Sequence, residues 1–158
     1  MSESELRDFA ETLPGVVADV ADEASGAPEA AWGDTFIYFD PNDDPGDRRF
    51  PFATIVASNY PGFDEASALD REGIYRLNIA VGKDAFTELI GHAPGDHAAV
   101  AETYDYTELD RVLPHPIYAS QGWVSILNPG ERTQAQARDL LRRARDLAAR
   151  RHGRRAEL

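Results

Sequence analysis

Gly73-Ile74-Tyr75-Arg76-Leu77-Asn78-Ile79-Ala80-Val81 is the most regular stretch of the chain. Successive side chains of a strand point to opposite faces. Tyr75, Leu77, Ile79 and Val81 therefore share one apolar face, and Ile74, Arg76, Asn78 and Ala80 share the other. A sheet covered on one side only produces this alternation, and it is typical of antiparallel sheets. Trp123 to Leu127 repeats the pattern, with Val124 and Ile126 on one side and Trp123, Ser125 and Leu127 on the other. If the apolar sets line a common core, then Arg76, Asn78, Trp123 and Ser125 point to the opposite, open face.

Working outward, Lys83 to Ile90 reads as a helix with Phe86, Leu89 and Ile90 inward and Gly91 as its stop. Before the central strand, Trp32 to Phe39 and Phe52 to Ser58 read as strands, with Phe36 and Tyr38 opposite Ile37 and Phe39. Val16 to Ala21 is a shorter first strand. The N-terminal helix starts on a capping box of Ser2 and Glu5, carries Leu6, Phe9, Ala10 and Leu13 at helical spacing, and stops at Pro14-Gly15. Thr133 and Gln136 offer a second capping box. The helix behind it has a stripe of Ala137, Leu140, Leu141, Ala144, Leu147 and Ala148. Residues 152–158 are expected to be a frayed tail. Leu113 to Gln121 is expected to be extended, because prolines at 114 and 116 bias their predecessors away from helix. Residues 92–112 show no strong periodicity, and such long stretches are usually functional or mobile. The order predicts a single α+β domain over residues 1–158: an N-terminal helix, a meandering antiparallel sheet covered on one face by helices, and a long C-terminal helix.

A chain of 158 residues with 42% hydrophobic content can bury a core without covalent staples. It has no cysteine, which excludes disulfides, thiolate nucleophiles and cysteine metal sites. The first residues lack the basic and apolar regions of a signal peptide, and no apolar run reaches the length of a membrane span. A cytoplasmic protein without a membrane partner is expected. The net charge of −12 is uneven: residues 1–130 hold 24 acids against 7 basic residues, and residues 131–158 hold 4 against 9. So acidic a body repels phosphate backbones and disfavours nucleic acid as a partner.

Four groups of residues bear on the chemistry. Arg76, Asn78 and Trp123 on the open face make a platform for an anionic or planar ligand, with Trp32 and Asp34 near its rim. A purely structural alternative pairs Arg76 with Asp34 or Asp70 and has Trp123 cap the sheet edge. His115 lies between two prolines, with Tyr118 close by, and its ordinary pKa near neutrality suits acid–base work. Alternatively, its ring pins the loop by bonding a carboxylate or a carbonyl. His92 and His97 have no third ligand at metal spacing. Asp40, Asn42 and Asp44 imitate the start of a calcium loop, but Pro45 and Pro51 occupy its sixth and twelfth positions. No metal or cofactor is expected. Asp43-Asp44 and Asp64-Glu65 read as solvated loop charges.

Leu13-Pro14-Gly15-Val16, Trp32-Gly33-Asp34, Arg76-Leu77-Asn78-Ile79 with the helix behind it, and a Trp123-containing strand leading into the last helix resemble the small MmcQ/YjbR-like proteins. Ala31-Trp32-Gly33-Asp34, Arg76-Leu77-Asn78-Ile79 and Leu113-Pro114-His115-Pro116-Ile117-Tyr118 together more closely resemble an actinobacterial family of unknown function, from about Leu6 to Arg151. Residues 92–112 are an insertion relative to the shorter relatives. The resemblance implies an α+β fold with an antiparallel sheet and brings no reaction with it. MmcQ/YjbR-like proteins are described as DNA-binding, which the acidic body opposes. The reading that follows is a non-catalytic module that binds a small molecule or a protein partner on the open face, through Arg76, Asn78, His115, Tyr118 and Trp123. The alternatives are an enzyme with His115 as general base beside Arg76, and a DNA-binding protein.

Overall fold

The structure, a computed structural model, describes residues 1–48 and 50–156. Its regular elements are α1 (Glu3–Glu11), β1 (Val16–Val20), β2 (Thr35–Phe39), β3 (Ala53–Val56), β4 (Arg76–Ala80), α2 (Lys83–Ile90), β5 (Val112–Pro114), β6 (Trp123–Leu127) and α3 (Gln134–Ala156). The strands form one six-stranded antiparallel sheet in the order β1-β2-β3-β4-β6-β5. The fold is α+β, and no helix among the described residues is long and apolar enough to cross a membrane.

Register follows from alternation. Leu77 pairs with Ile126 and Ile79 with Val124, so the apolar sets of β4 and β6 lie on the same face. Ile55 and Ala53 of β3 and Ile37 of β2 extend that face outward. It is covered by Leu6 and Ala10 of α1 and by Ala137, Leu140, Leu141 and Ala144 of α3, all buried in one cluster. The capping box that starts α1 is present: Glu5 N donates to Ser2 Oγ and Ser2 N to Glu5 Oε1, both at 3.1 Å. Gly91 ends α2 in the left-handed region at φ 98°, where a glycine avoids the clash of a Cβ.

Several expectations shift. The strand expected from Trp32 begins at Thr35, because Glu29–Ala31 forms a short 3-10 turn and Gly33 N bonds back to Ala21 O. Thr133 donates its hydroxyl to Asp110 at 2.6 Å, and this carboxylate also accepts from the backbone of Gly130, Arg132 and Thr133. The start of α3 is thus capped by a residue from a distant loop. The helix then runs through Ala156, into the segment expected to fray, and residues 157 and 158 lie outside the described residues. Of the segment Leu113 to Gln121, expected to be extended, only Leu113 and Pro114 are strand, at the end of β5. After it the chain turns into a 3-10 turn at Ala119–Gln121. Residues 92–112 hold two further 3-10 segments, Pro94–Ala99 and Ala101–Thr103, the first packed against Ala119–Gln121.

The second sheet face is not open as expected. Tyr60 to Leu69 and the turn after Pro114 bring side chains over it, and Arg76, Asn78 and Ser125 are buried. What remains is a recess.

Candidate functional site

The recess is a cavity of about 690 Å³. That lies within the range of small-molecule sites, roughly 300–1,000 Å³. Its floor comes from β3, β4 and β6, and its walls from the loops that cross the face.

The floor is built around Arg76, which is 1% exposed. Alternation on β4 turns its side chain away from the main core, and a buried guanidinium must then be paired. Nη1 donates to Asp64 Oδ1 at 3.0 Å and Nη2 to Asp64 Oδ2 at 2.6 Å, a two-pronged ion pair. Nη1 also donates to Ser67 Oγ at 2.9 Å, and Nε donates to Asn78 Oδ1 at 2.7 Å. Asn78 in turn receives Ser125 Oγ at 3.1 Å and donates to Thr54 Oγ1 at 3.0 Å. The polar residues of three adjacent strands thereby form one connected network.

His115 closes the network from the side. Its N–H bonds Trp123 O at 3.1 Å, which continues the β5–β6 ladder by one residue. Pro116 follows, the chain bends, and the amides of Ile117 and Tyr118 both donate to His115 Nδ1 at 3.0 Å. An acceptor of two N–H bonds carries no proton, so the proton of the neutral ring is on Nε2. Nε2 lies 3.5 Å from Arg76 Nη2. Burial, and then the positive charge of Arg76, hold the imidazole pKa well below its ordinary value.

The walls are aromatic. Tyr118 lies 5.0 Å from the His115 ring and 6.5 Å from the Trp123 ring, centroid to centroid. Phe63 lies 6.5 Å from Tyr118 and is 61% exposed. Phe50, at 88% exposed, stands at the mouth. Gly122 sets the entry to β6. It has φ 81°, and a Cβ there would stand 3.1 Å from the backbone of Gly82. The far end of the cavity reaches Phe52 and the last turns of α3 at Leu147 and Arg151.

Of the residues singled out in the sequence, Arg76, Asn78, His115, Tyr118 and Trp123 line this one cavity. Asp34 and Trp32 do not. Asp34 is fully buried behind the wall, where it accepts from Ala57 N at 3.0 Å and from the Tyr60 hydroxyl. Burial raises its pKa against the opposing effect of those bonds, and raises that of Tyr60 as well. Trp32 is 41% exposed on another part of the surface and bonds Ala27 O through its indole N–H. Neither acid expected for Arg76 in the structural alternative, Asp34 or Asp70, bonds it. Its partner Asp64, expected to be a solvated loop charge, is buried. Asp64, Ser67, Tyr60 and Phe63 all lie between β3 and β4, and their only signal was the presence of a strand arginine in need of a carboxylate.

His92 and His97 do meet: Nε2 of one and Nδ1 of the other are 3.0 Å apart, and the rings stack at 5.2 Å. His97 Nε2 is 3.2 Å from the Tyr106 hydroxyl, which donates to Ala101 O. Among the described residues, no group of three or more histidine or acidic side chains could hold a metal ion.

Neither a curated protein nor a solved structure matches the chain. The model of a family of unknown function, DUF6194, matches residues 1–157, and the chain belongs to that family.

Proposed function

We propose that this chain binds a small molecule in the cavity on the second face of its sheet. The observation that carries the reading is the union of two features in one preformed recess: buried polar donors at the floor and aromatic rings on the walls. Ligand sites have this composition, with apolar walls that supply contact area and a few fixed polar groups that supply orientation. Phe63 and Tyr118 stand exposed at the edge of the recess, where an entering ligand would meet them.

The enzymatic alternative asks His115 to take a proton. Both of its nitrogens oppose that role: Nδ1 is engaged by two amides, and Nε2 already carries the ring proton. His115 acts here as a donor. DNA binding gains no support from α3, where Arg142 lies over the Phe9 ring, Arg143 faces Glu88, and Arg145 bonds Pro14 O.

A thermal-shift screen against metabolites and aromatic natural products tests the reading. A ligand bound only by the folded state raises the melting temperature. A compound that stabilises the wild type but neither Tyr118→Ala nor Trp123→Ala supports the cavity. A compound that stabilises all three equally places binding elsewhere. If no compound stabilises the wild type, a protein partner becomes the better reading.

A further inference from the structure

Arg76 has five N–H donors, and its protein acceptors can be counted. Nε serves Asn78, Nη1 serves Asp64 and Ser67, and one N–H of Nη2 serves Asp64. The remaining N–H of Nη2 faces His115 Nε2 at 3.5 Å. That contact is not a hydrogen bond of the usual kind, because Nε2 is itself a donor. Turning the imidazole over does not change this. It would bring a carbon against the Ile117 and Tyr118 amides, which now share Nδ1 at 3.0 Å. Two buried N–H groups therefore stand side by side on the cavity floor, with no acceptor among the described residues between them. One oxygen with two lone pairs would satisfy both.

The charge around this pair decides what kind of oxygen. The guanidinium is neutralised by the two-pronged contact with Asp64, and the imidazole is neutral. The floor holds no surplus positive charge. A carboxylate placed there would lose its hydration, meet no free cation on the floor, since Arg151 lies at the far end of the cavity, and approach Asp64 in a chain whose net charge is −12. An uncharged acceptor meets none of these penalties. The walls add a shape requirement, since Tyr118, Trp123 and Phe63 offer ring faces and edges to a flat apolar body.

We infer that the cavity selects a planar, mainly apolar ligand bearing an uncharged oxygen acceptor, an aromatic ketone being the simplest case, and holds that oxygen between Arg76 Nη2 and His115 Nε2. The inference rests on the cavity being a small-molecule site. It adds which ligand class the site takes.

Fluorenone and fluorene share a flat tricyclic body and differ in one carbonyl, and naphthoate supplies a flat anion. Each is titrated by calorimetry into the whole chain and into His115→Asn. Asparagine can keep an acceptor near the position of Nδ1 but has no donor at the position of Nε2. In the wild type, fluorenone is expected to bind about tenfold more tightly than fluorene and than naphthoate, in line with the worth of hydrogen bonds to otherwise unpaired donors. In His115→Asn the advantage over fluorene narrows. A second readout needs no variant: the carbonyl stretching frequency of bound fluorenone falls below that in an apolar solvent. Equal binding of ketone and hydrocarbon, with an unshifted carbonyl, would leave the cavity as a binding site and overturn the acceptor assignment. Tighter binding of naphthoate would overturn the preference for an uncharged oxygen. Failure of all three probes to bind would count against the cavity itself.

Discussion

Arg76 and Asp64 meet face to face beneath the cavity, twelve residues apart in sequence, through contacts of 3.0 and 2.6 Å. Both are almost wholly buried. Removing one partner of such a pair leaves the other charge uncompensated, at a cost of about 3–5 kcal/mol, whereas replacing both by apolar residues is often close to neutral. Asp64→Ala is expected to lose stability on that scale in urea denaturation. Arg76→Leu combined with Asp64→Leu is expected to recover much of it while abolishing ligand binding. A loss below about 1 kcal/mol for the single change, the scale of an exposed pair, would contradict the buried pairing.

Asp110 anchors the start of α3 from outside the helix. Its carboxylate receives the side chain of Thr133 and three backbone N–H groups, which hold its pKa down at about 2 against the effect of burial. Asp110→Ala is expected to cost about 1–2 kcal/mol, the upper range for a lost helix cap. A carboxyl group with a lowered pKa stabilises the fold above its unfolded pKa and ceases to do so as the pH falls through the folded value. The difference between wild type and Asp110→Ala should therefore hold steady from neutral pH down to about 4 and shrink from there towards about 2. Denaturation curves at a series of acidic pH values check the trend. A difference that did not change with acidity would remove the carboxylate from the cap.

His115 gives a pH dependence of the same sign at a higher pH. Its folded pKa lies well below the ordinary histidine value, so the unfolded chain takes up a proton near pH 6.5 and the folded chain does not. The sign follows: stability is unaffected above that pH and falls as the pH drops below it, by at most about 1.4 kcal/mol per pH unit for one group. Burial and the neighbouring His92 lower His97 as well, which adds a loss in the same direction. His115→Asn should flatten the dependence between about pH 6.5 and about pH 5. An identical slope in wild type and variant would mean that His115 is protonated in the folded state.

How far the sequence reveals this arrangement differs from element to element. The faces of β4 and β6 were legible because alternation is a local property, and the pairings Asn78–Ser125 and Ala80–Trp123 put Arg76, Asn78 and Trp123 on one side as alternation requires. Helix α2 was legible for the same reason, with Gly91 marking its end. Asp64 was not. It lies in a polar stretch that looks solvated, and only the folding of Tyr60–Leu69 over the sheet carries it to Arg76. The tautomer of His115 was equally hidden, since it depends on a bend after Pro116 that the paired prolines led one to expect as extended. Trp32 and Asp34 precede β2, where alternation does not say which way a side chain turns. Their side chains instead serve the local turn and the Tyr60 hydroxyl.

The exposed rings at the rim separate affinity from stability. Phe63 and Phe50 are largely solvated, so Phe63→Ala and Phe50→Ala are expected to change the melting temperature little. Phe63→Ala should still weaken a planar ligand several-fold, because it removes a wall ring facing Tyr118. Calorimetry beside thermal melts checks both. A large loss of stability without loss of affinity would reverse the assignment.

The chain has two tryptophans, Trp32 outside the cavity lining and Trp123 on its wall, which allows the central claim to be tested with one fluorophore. Trp32→Phe leaves Trp123 as the sole reporter. Titration of this variant with fluorenone, followed by Trp123 emission, is expected to give a saturable change with the same midpoint as calorimetry. Saturable binding in the calorimeter with Trp123 emission unmoved would contradict the cavity as the ligand site.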